Sequence, residues 1–161
     1  MRMLLPSDSP DMPMQWHDGL LLGYAPMDGI HEEFIACVSA LNQASDDRLP
    51  TILDSLAEHC VRHFREEDNW MEQTSFPARE CHMNEHAAVL KSVREVQELL
   101  ALGDTGVCRR LARELANWFP GHADYLDSAL AHWMCQQRLG GKPVVIRRDL
   151  TIQFSLHHHQ T

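Results

Sequence analysis

H-C-V-R-H-F-R-E-E-D-N-W-M occupies His59 to Met71, and C-H-M-N-E-H follows at Cys81 to His86 after a proline-containing turn. Two pairs in this stretch stand four residues apart: His63 with Glu67, and His82 with His86. On a helix, residues four apart stack on one face. One helix therefore offers an imidazole and a carboxylate together, and the next offers two imidazoles. That is a metal-ligand arrangement, and a metal held there needs further ligands from elsewhere in the chain.

The apolar pattern around the stretch is helical. The segment starting near Pro50, a residue tolerated in a first turn, carries the seam Leu49, Leu53, Leu56, Cys60, His63, Glu67, Met71. Two polar residues stand where a core should be. The next helix, from about Ala78 to Ala101, carries His82, His86, Leu90, Val93 and Leu100, with Val89 and Val96 beside them. Upstream, Asp28 is a candidate N-cap for a helix to Gln43 with the stripe Met27, Ile30, Phe34, Val38, Leu41, and His31 falls inside that stripe. Downstream, a helix from about Val107 to Leu139 has the seam Leu111, Leu115, Trp118, His122, Leu126, Trp133. Pro120 lies inside it and should kink it just before His122.

Four amphipathic helices joined by short polar turns predict an all-α, up-down-up-down antiparallel four-helix bundle over residues 27–139. Residues 1–26, with Pro6, Pro10, Pro13 and Pro26, read as an N-terminal arm packed on the bundle, pinned by Trp16, Leu20, Leu21 and Leu22. Residues 140–161 read as a C-terminal tail, strand-like or disordered, in which Leu150, Ile152, Phe154 and Leu156 alternate.

Composition bounds the partners. A length of 161 residues suits one domain with a proper core. The net charge of −9 argues against nucleic acid and against an anionic membrane surface. No run reaches the ~20 apolar residues of a membrane span. Five scattered cysteines, with no C-x-x-C pair, argue against a disulfide framework and for a reducing compartment. The expected location is the cytoplasm.

In such a bundle His31, His63, Glu67, His82 and His86 converge toward one end, with His122 farther along its own helix. A lone histidine in an apolar stripe, such as His31, is ordinarily a core residue bonded to backbone. Both spaced pairs at matching depth point to a metal instead. A buried ionised carboxylate is costly unless it is paired or metal-bound. Imidazole with carboxylate suits iron, zinc or manganese. Five histidines with bridging carboxylates exceed one tetrahedral zinc and fit two octahedral irons. His59 falls on the flank of its seam. His17 and His132 read as surface or rim, Glu66 and Asp68 as a solvated face, and Cys60 and Cys81 as small core residues.

The ordered pattern H…HxxxE…HxxxH…HxxxxD resembles the hemerythrin family, in its single-domain bacterial form. The matching pieces are W-x-x-x-L at Trp16 and Leu20, M-D-G-I-H ending at His31, H-F-R-E-E-D-N-W-M from His63, H-M-N-E-H from His82, and W-F-P-G-H-A-D-Y-L-D from Trp118 to Asp127. The resemblance implies two Fe ions bridged by an oxo or hydroxo group. His82, His86 and His122 would hold one, His31 and His63 the other, and Glu67 and Asp127 would bridge them. Asp127 rests on the resemblance, because it lies about 140° around a straight helix from His122. The implied function is reversible binding of dioxygen at the iron of His31 and His63, which keeps an open position. The family often has glutamine where this chain has Ile30, and a larger aliphatic where it has Ala123. The alternative is a di-iron enzyme: an oxidase, peroxidase or nitric-oxide reductase. Against it, ferritin-like enzymes use paired E-x-x-H motifs, and this chain has none.

Overall fold

The computed structural model describes residues 14–146. Their elements are a 3-10 turn at Asp18–Leu20, then α1 (Ala25–Gln43), α2 (Leu49–Gln73), α3 (Arg79–Ala101), α4 (Gly106–His122), a π-helical segment (Ala123–Asp127) and α5 (Ser128–Leu139). The last three run on without a break, so they make one long fourth rod. α1 packs beside α2 and α4, and α3 beside α2 and α4. Short connections force successive helices antiparallel, and the result is an all-α four-helix bundle. No strand occurs among the described residues, and none of their helices is long and apolar enough to cross a membrane. The alternating tail segment with Leu150, Ile152, Phe154 and Leu156 lies outside the described residues.

The buried apolar side chains form two separate groups. The larger includes Phe34, Val38 and Leu41 of α1, Leu49, Leu53, Leu56 and Phe64 of α2, Val89, Val93 and Val96 of α3, and Leu111, Leu115 and Phe119 of α4. The smaller is a cap at the other end, made by Tyr24, Met27, Trp70, Met71, Phe76, Leu130, Ala131, Met134 and Cys135. Between them, each helix changes from apolar to polar on its buried face. In the arm, Met14, Trp16 and Leu20 pack on the larger group and Leu22 on the cap.

Several expectations are corrected. α1 starts at Ala25, with Pro26 in its first turn, where a missing N–H is harmless. Asp28 is therefore not an N-cap. It lies inside the first turn, and its carboxylate accepts hydrogen bonds from the backbone N–H groups of Leu22 (2.8 Å) and Gly23 (3.1 Å), which ties the arm to the helix. Gly23 has φ +85°, and a Cβ there would lie 2.8 Å from Pro143 Cβ, so arm and tail cross at a point only glycine fits. On α3 the buried line is Val89, Val93 and Val96, with Leu90 and Leu100 at its margin.

The fourth rod departs most. Its helix continues through Pro120, and the irregularity follows His122 as the π-helical segment. A π turn takes one residue more than an α turn. The expected seam of Leu126 and Trp133 accordingly moves on by one residue, and the fully buried positions are Asp127 and Met134.

Leu53 lies on α2 about 15 Å along the axis from His63, at ~1.5 Å per residue. Leu53→Ala should destabilise the fold by about 2–5 kcal/mol in urea unfolding, and it should leave the metal content of the folded protein unchanged.

Candidate metal centre

The polar layer between the two apolar groups consists of His31 (α1), His63 and Glu67 (α2), His82 and His86 (α3), His122 (α4) and Asp127 (π segment). All seven are buried, and both carboxylates have 0 % exposure. Each helix delivers its residues by the same rule. His63 and Glu67 are one turn apart on α2, and His82 and His86 one turn apart on α3. The π segment supplies what the fourth rod would otherwise lack. An i→i+5 turn brings Asp127 back over His122, and Asp127 Oδ1 lies 3.1 Å from His122 Nε2.

The carboxylate oxygens divide between two groups of imidazoles. Glu67 Oε1 lies 2.9 Å from His63 Nε2 and 3.3 Å from His31 Nε2. Glu67 Oε2 lies 3.2 Å from His86 Nε2 and 3.6 Å from His82 Nε2. Asp127 Oδ2 lies 3.1 Å from His31 Nε2, and Asp127 Oδ1 lies 2.9 Å from His82 Nε2. Ligand atoms of Glu67, His82, His86, His122 and Asp127 all fall within 4.8 Å of one another, as do those of His31, His63 and Glu67. Asp127 reaches the second group only through His31.

These approaches are short, yet most are not hydrogen bonds. His82 Nε2, His86 Nε2, His122 Nε2, Glu67 Oε2 and both Asp127 oxygens are buried without a hydrogen-bond partner among the described residues. Buried polar atoms are ordinarily paired, so such a concentration calls for an explanation. Atoms that converge on a shared centre, rather than on each other, come close without aligning. A cation at that centre satisfies them, and the donor set of imidazole and carboxylate suits a first-row transition metal.

Comparison with known proteins agrees. Residues 22–133 match the family model described as the hemerythrin HHE cation binding domain. A bacteriohemerythrin of Ralstonia nicotianae is 40% identical over 127 residues, covering 78% of this chain and 93% of that protein. Bacteriohemerythrins of Stenotrophomonas maltophilia and Pseudomonas aeruginosa are 26% and 23% identical, over 72% and 75% of this chain and 78% and 84% of theirs. The chain belongs to the hemerythrin family. Membership makes it a non-haem iron protein of the oxygen-binding kind, and the buried layer fits its metal site.

Residues around a hemerythrin-type layer differ from the sequence expectation in two places. Asp68 does not simply face solvent: its Oδ1 lies 2.7 Å from His86 Nδ1. Cys81 is exposed, whereas Cys60 is buried as expected. His59 is buried and its Nε2 lies 3.2 Å from His63 Nδ1. Burial, then the neighbouring His63 and Arg62, push its pKa down to about 4, so it is neutral at pH 7. His17 and His132 are exposed. Of three aromatic rings that wall the layer, Phe64 and Phe119 were hidden from a seam count, and Trp118 was in it. Phe64 stacks on His86 at 4.2 Å, and Phe119 meets His31 edge-on at 5.0 Å. Trp118, on the margin of its helix, lies 4.3 Å from His122.

The same crowding sets the protonation of the metal-free layer. Burial alone would lower the pKa of His31, but the adjacent Asp127 and Glu67 carboxylates more than reverse this and push it up to about 10. His82 is pushed up to about 9 by the same balance. Burial raises Glu67, and its histidine neighbours then hold it well below the usual carboxylate range. Protons thus stand in for metal, and a cation must displace them. Burial is likewise outweighed at His86, by Asp68 and Glu67, so metal added at pH 7 to metal-free protein should release at least about two protons per chain, and the apparent affinity should fall as the pH is lowered. An indicator dye in weak buffer reads the release. In a second test, Glu67→Ala should lose most bound iron, while His59→Ala and His132→Ala keep it, as measured by metal analysis.

Proposed function

We propose that this chain holds two irons and binds dioxygen reversibly, with His82, His86 and His122 at one iron, His31 and His63 at the other, and Glu67 and Asp127 bridging both. The observation that carries this reading is the division of oxygens. Each carboxylate turns one oxygen toward each histidine group. One ion needs no such division, and two ions need it in both carboxylates.

The ligand count then makes the two positions unequal. His82, His86 and His122 would give one iron three histidines, and His31 and His63 would give the other two, with Glu67 and Asp127 shared. The iron pair would supply the electrons and the less filled position that oxygen binding requires.

The protein side chains do the rest. Phe119 and Phe34 stand against His31 and His63, with ring centres 5.0 and 5.7 Å apart, and present an apolar wall on the side with fewer histidines. The cap closes the layer from the other end. Trp70 and Tyr24 pack edge to face at 5.3 Å, and Arg138 donates a hydrogen bond to the Tyr24 hydroxyl at 2.6 Å. Such walls exclude water from the neighbourhood of the bound oxygen. Buried Ala123 beside His122 leaves less bulk there than a larger aliphatic would.

A binding role is also supported by the relatives' name, bacteriohemerythrin, and by the histidine-rich ligand set without E-x-x-H. The expected location remains the cytoplasm. The test is to count iron, reduce the protein anaerobically, admit air, then flush with argon. Two irons per chain and a spectrum that appears with air and fades under argon are expected. One zinc per chain would overturn the di-iron reading, and immediate irreversible oxidation would favour an oxidase.

A further inference from the structure

Each of the five imidazoles turns Nε2 toward the carboxylate pair, which leaves five Nδ1 atoms facing outward. They are not treated alike. His86 Nδ1 lies 2.7 Å from Asp68 Oδ1. His122 Nδ1 lies 3.3 Å from Glu85 Oε1, the same oxygen that accepts the Trp118 indole N–H at 3.1 Å. His63 Nδ1 lies 3.2 Å from His59 Nε2, and His59 Nδ1 lies 3.7 Å from Glu33 Oε2, beyond hydrogen-bond reach. The Nδ1 atoms of His31 and His82 have no hydrogen-bond partner among the described residues. Both outer carboxylates that touch a ligand imidazole directly therefore serve the group of three histidines, and the group of two has Glu33 only at one remove, through His59.

The bracing also has a direction. Asp68 on α2 reaches His86 on α3, and Glu85 on α3 reaches His122 on α4. Each helix steadies a ligand of the next. An imidazole whose Nδ1–H donates to a carboxylate keeps its Nε2 lone pair aimed at the metal and becomes a more basic ligand. A nearby negative charge adds to the attraction for a cation.

We propose that Asp68 and Glu85 are positioning residues that make the place of His82, His86 and His122 the tighter of the two metal positions, so that it fills first. This rests on the two-ion reading above. The bridging carboxylates are common to both positions, so beyond one additional histidine it is these two outer carboxylates that separate the affinities.

Asp68 and Glu85 are 26 % and 43 % exposed, so substituting either leaves no charge stranded in the interior. Asp68→Asn and Glu85→Gln keep an acceptor oxygen and remove the charge. Asp68→Ala and Glu85→Ala remove both. The metal-free full chain is titrated anaerobically with Co(II) against a competing chelator, and the visible spectrum follows each ion. The unaltered chain should bind two ions in two steps, and His31→Ala should lose the weaker step only. The Asn and Gln variants should weaken the tighter step about tenfold and the Ala variants up to about 100-fold, with the weaker step unchanged. Circular dichroism checks that helix content is equal across the series, and the isosteric Asn and Gln variants suffice if an Ala variant does not fold.

A tighter step unchanged in the folded variants overturns the inference. So do both steps weakening equally, or two ions of equal affinity in the unaltered chain. Each of these leaves the two-ion reading standing. Fewer than two ions in the unaltered chain overturns that reading, and the inference with it.

Discussion

Glu67 and Asp127 are two carboxylates without solvent, close enough to share their histidine neighbours. Ionised, each would be costly alone, and side by side they repel. Only positive charge between them makes the layer tolerable. In metal-free protein the carboxylates draw protons to the histidines around them, and hold His31, His82 and His86 above the usual imidazole range. In the loaded protein the positive charge is metal. Much else in the structure answers to this constraint. Apolar groups on both sides keep water from screening the layer, and the helices around it all change to polar residues at the same level.

The two apolar groups have different tasks. The larger one, with Leu49, Leu53, Leu56 and the valines of α3, is an ordinary bundle core and gives the fold most of its burial. The cap is smaller and built with aromatic and polar handles. Trp133 donates its indole N–H to Thr74, and Arg138 lies over Trp70 while bonded to Tyr24. These contacts join the ends of α1, α2 and α5, which would otherwise fray at the edge of the site.

The helices and most of the site were legible from spacing. His63 with Glu67 and His82 with His86 are one turn apart, and the leucine stripes around them have the same period. Asp127 was not legible this way. A seam count assumes an α repeat, and the π segment breaks the repeat where Asp127 and Met134 must turn inward. Family resemblance carried Asp127, and backbone geometry explains it. Asp68 was misread for another reason. Its position beside Glu67 on α2 says only which way it leaves its own helix, and its partner sits on α3. Phe64 and Phe119 escaped notice because they flank the polar seam positions. Asp28 was taken for a cap because the arm's two N–H groups, which it serves, carry no sequence signal.

The π segment couples two parts of the protein that look independent. Asp127 closes it and the cap residues Leu130 and Met134 lie beyond it, so one additional backbone residue sets the phase of both. Wound as a regular α repeat, the same residues would turn the carboxylate and the cap about 100° out of phase together. Deleting one residue would instead bring the aspartate to the place one α turn after His122 and keep the phase. This segment must therefore preserve the match between its winding and its residue count, and exposed Tyr125 can be exchanged freely in these terms.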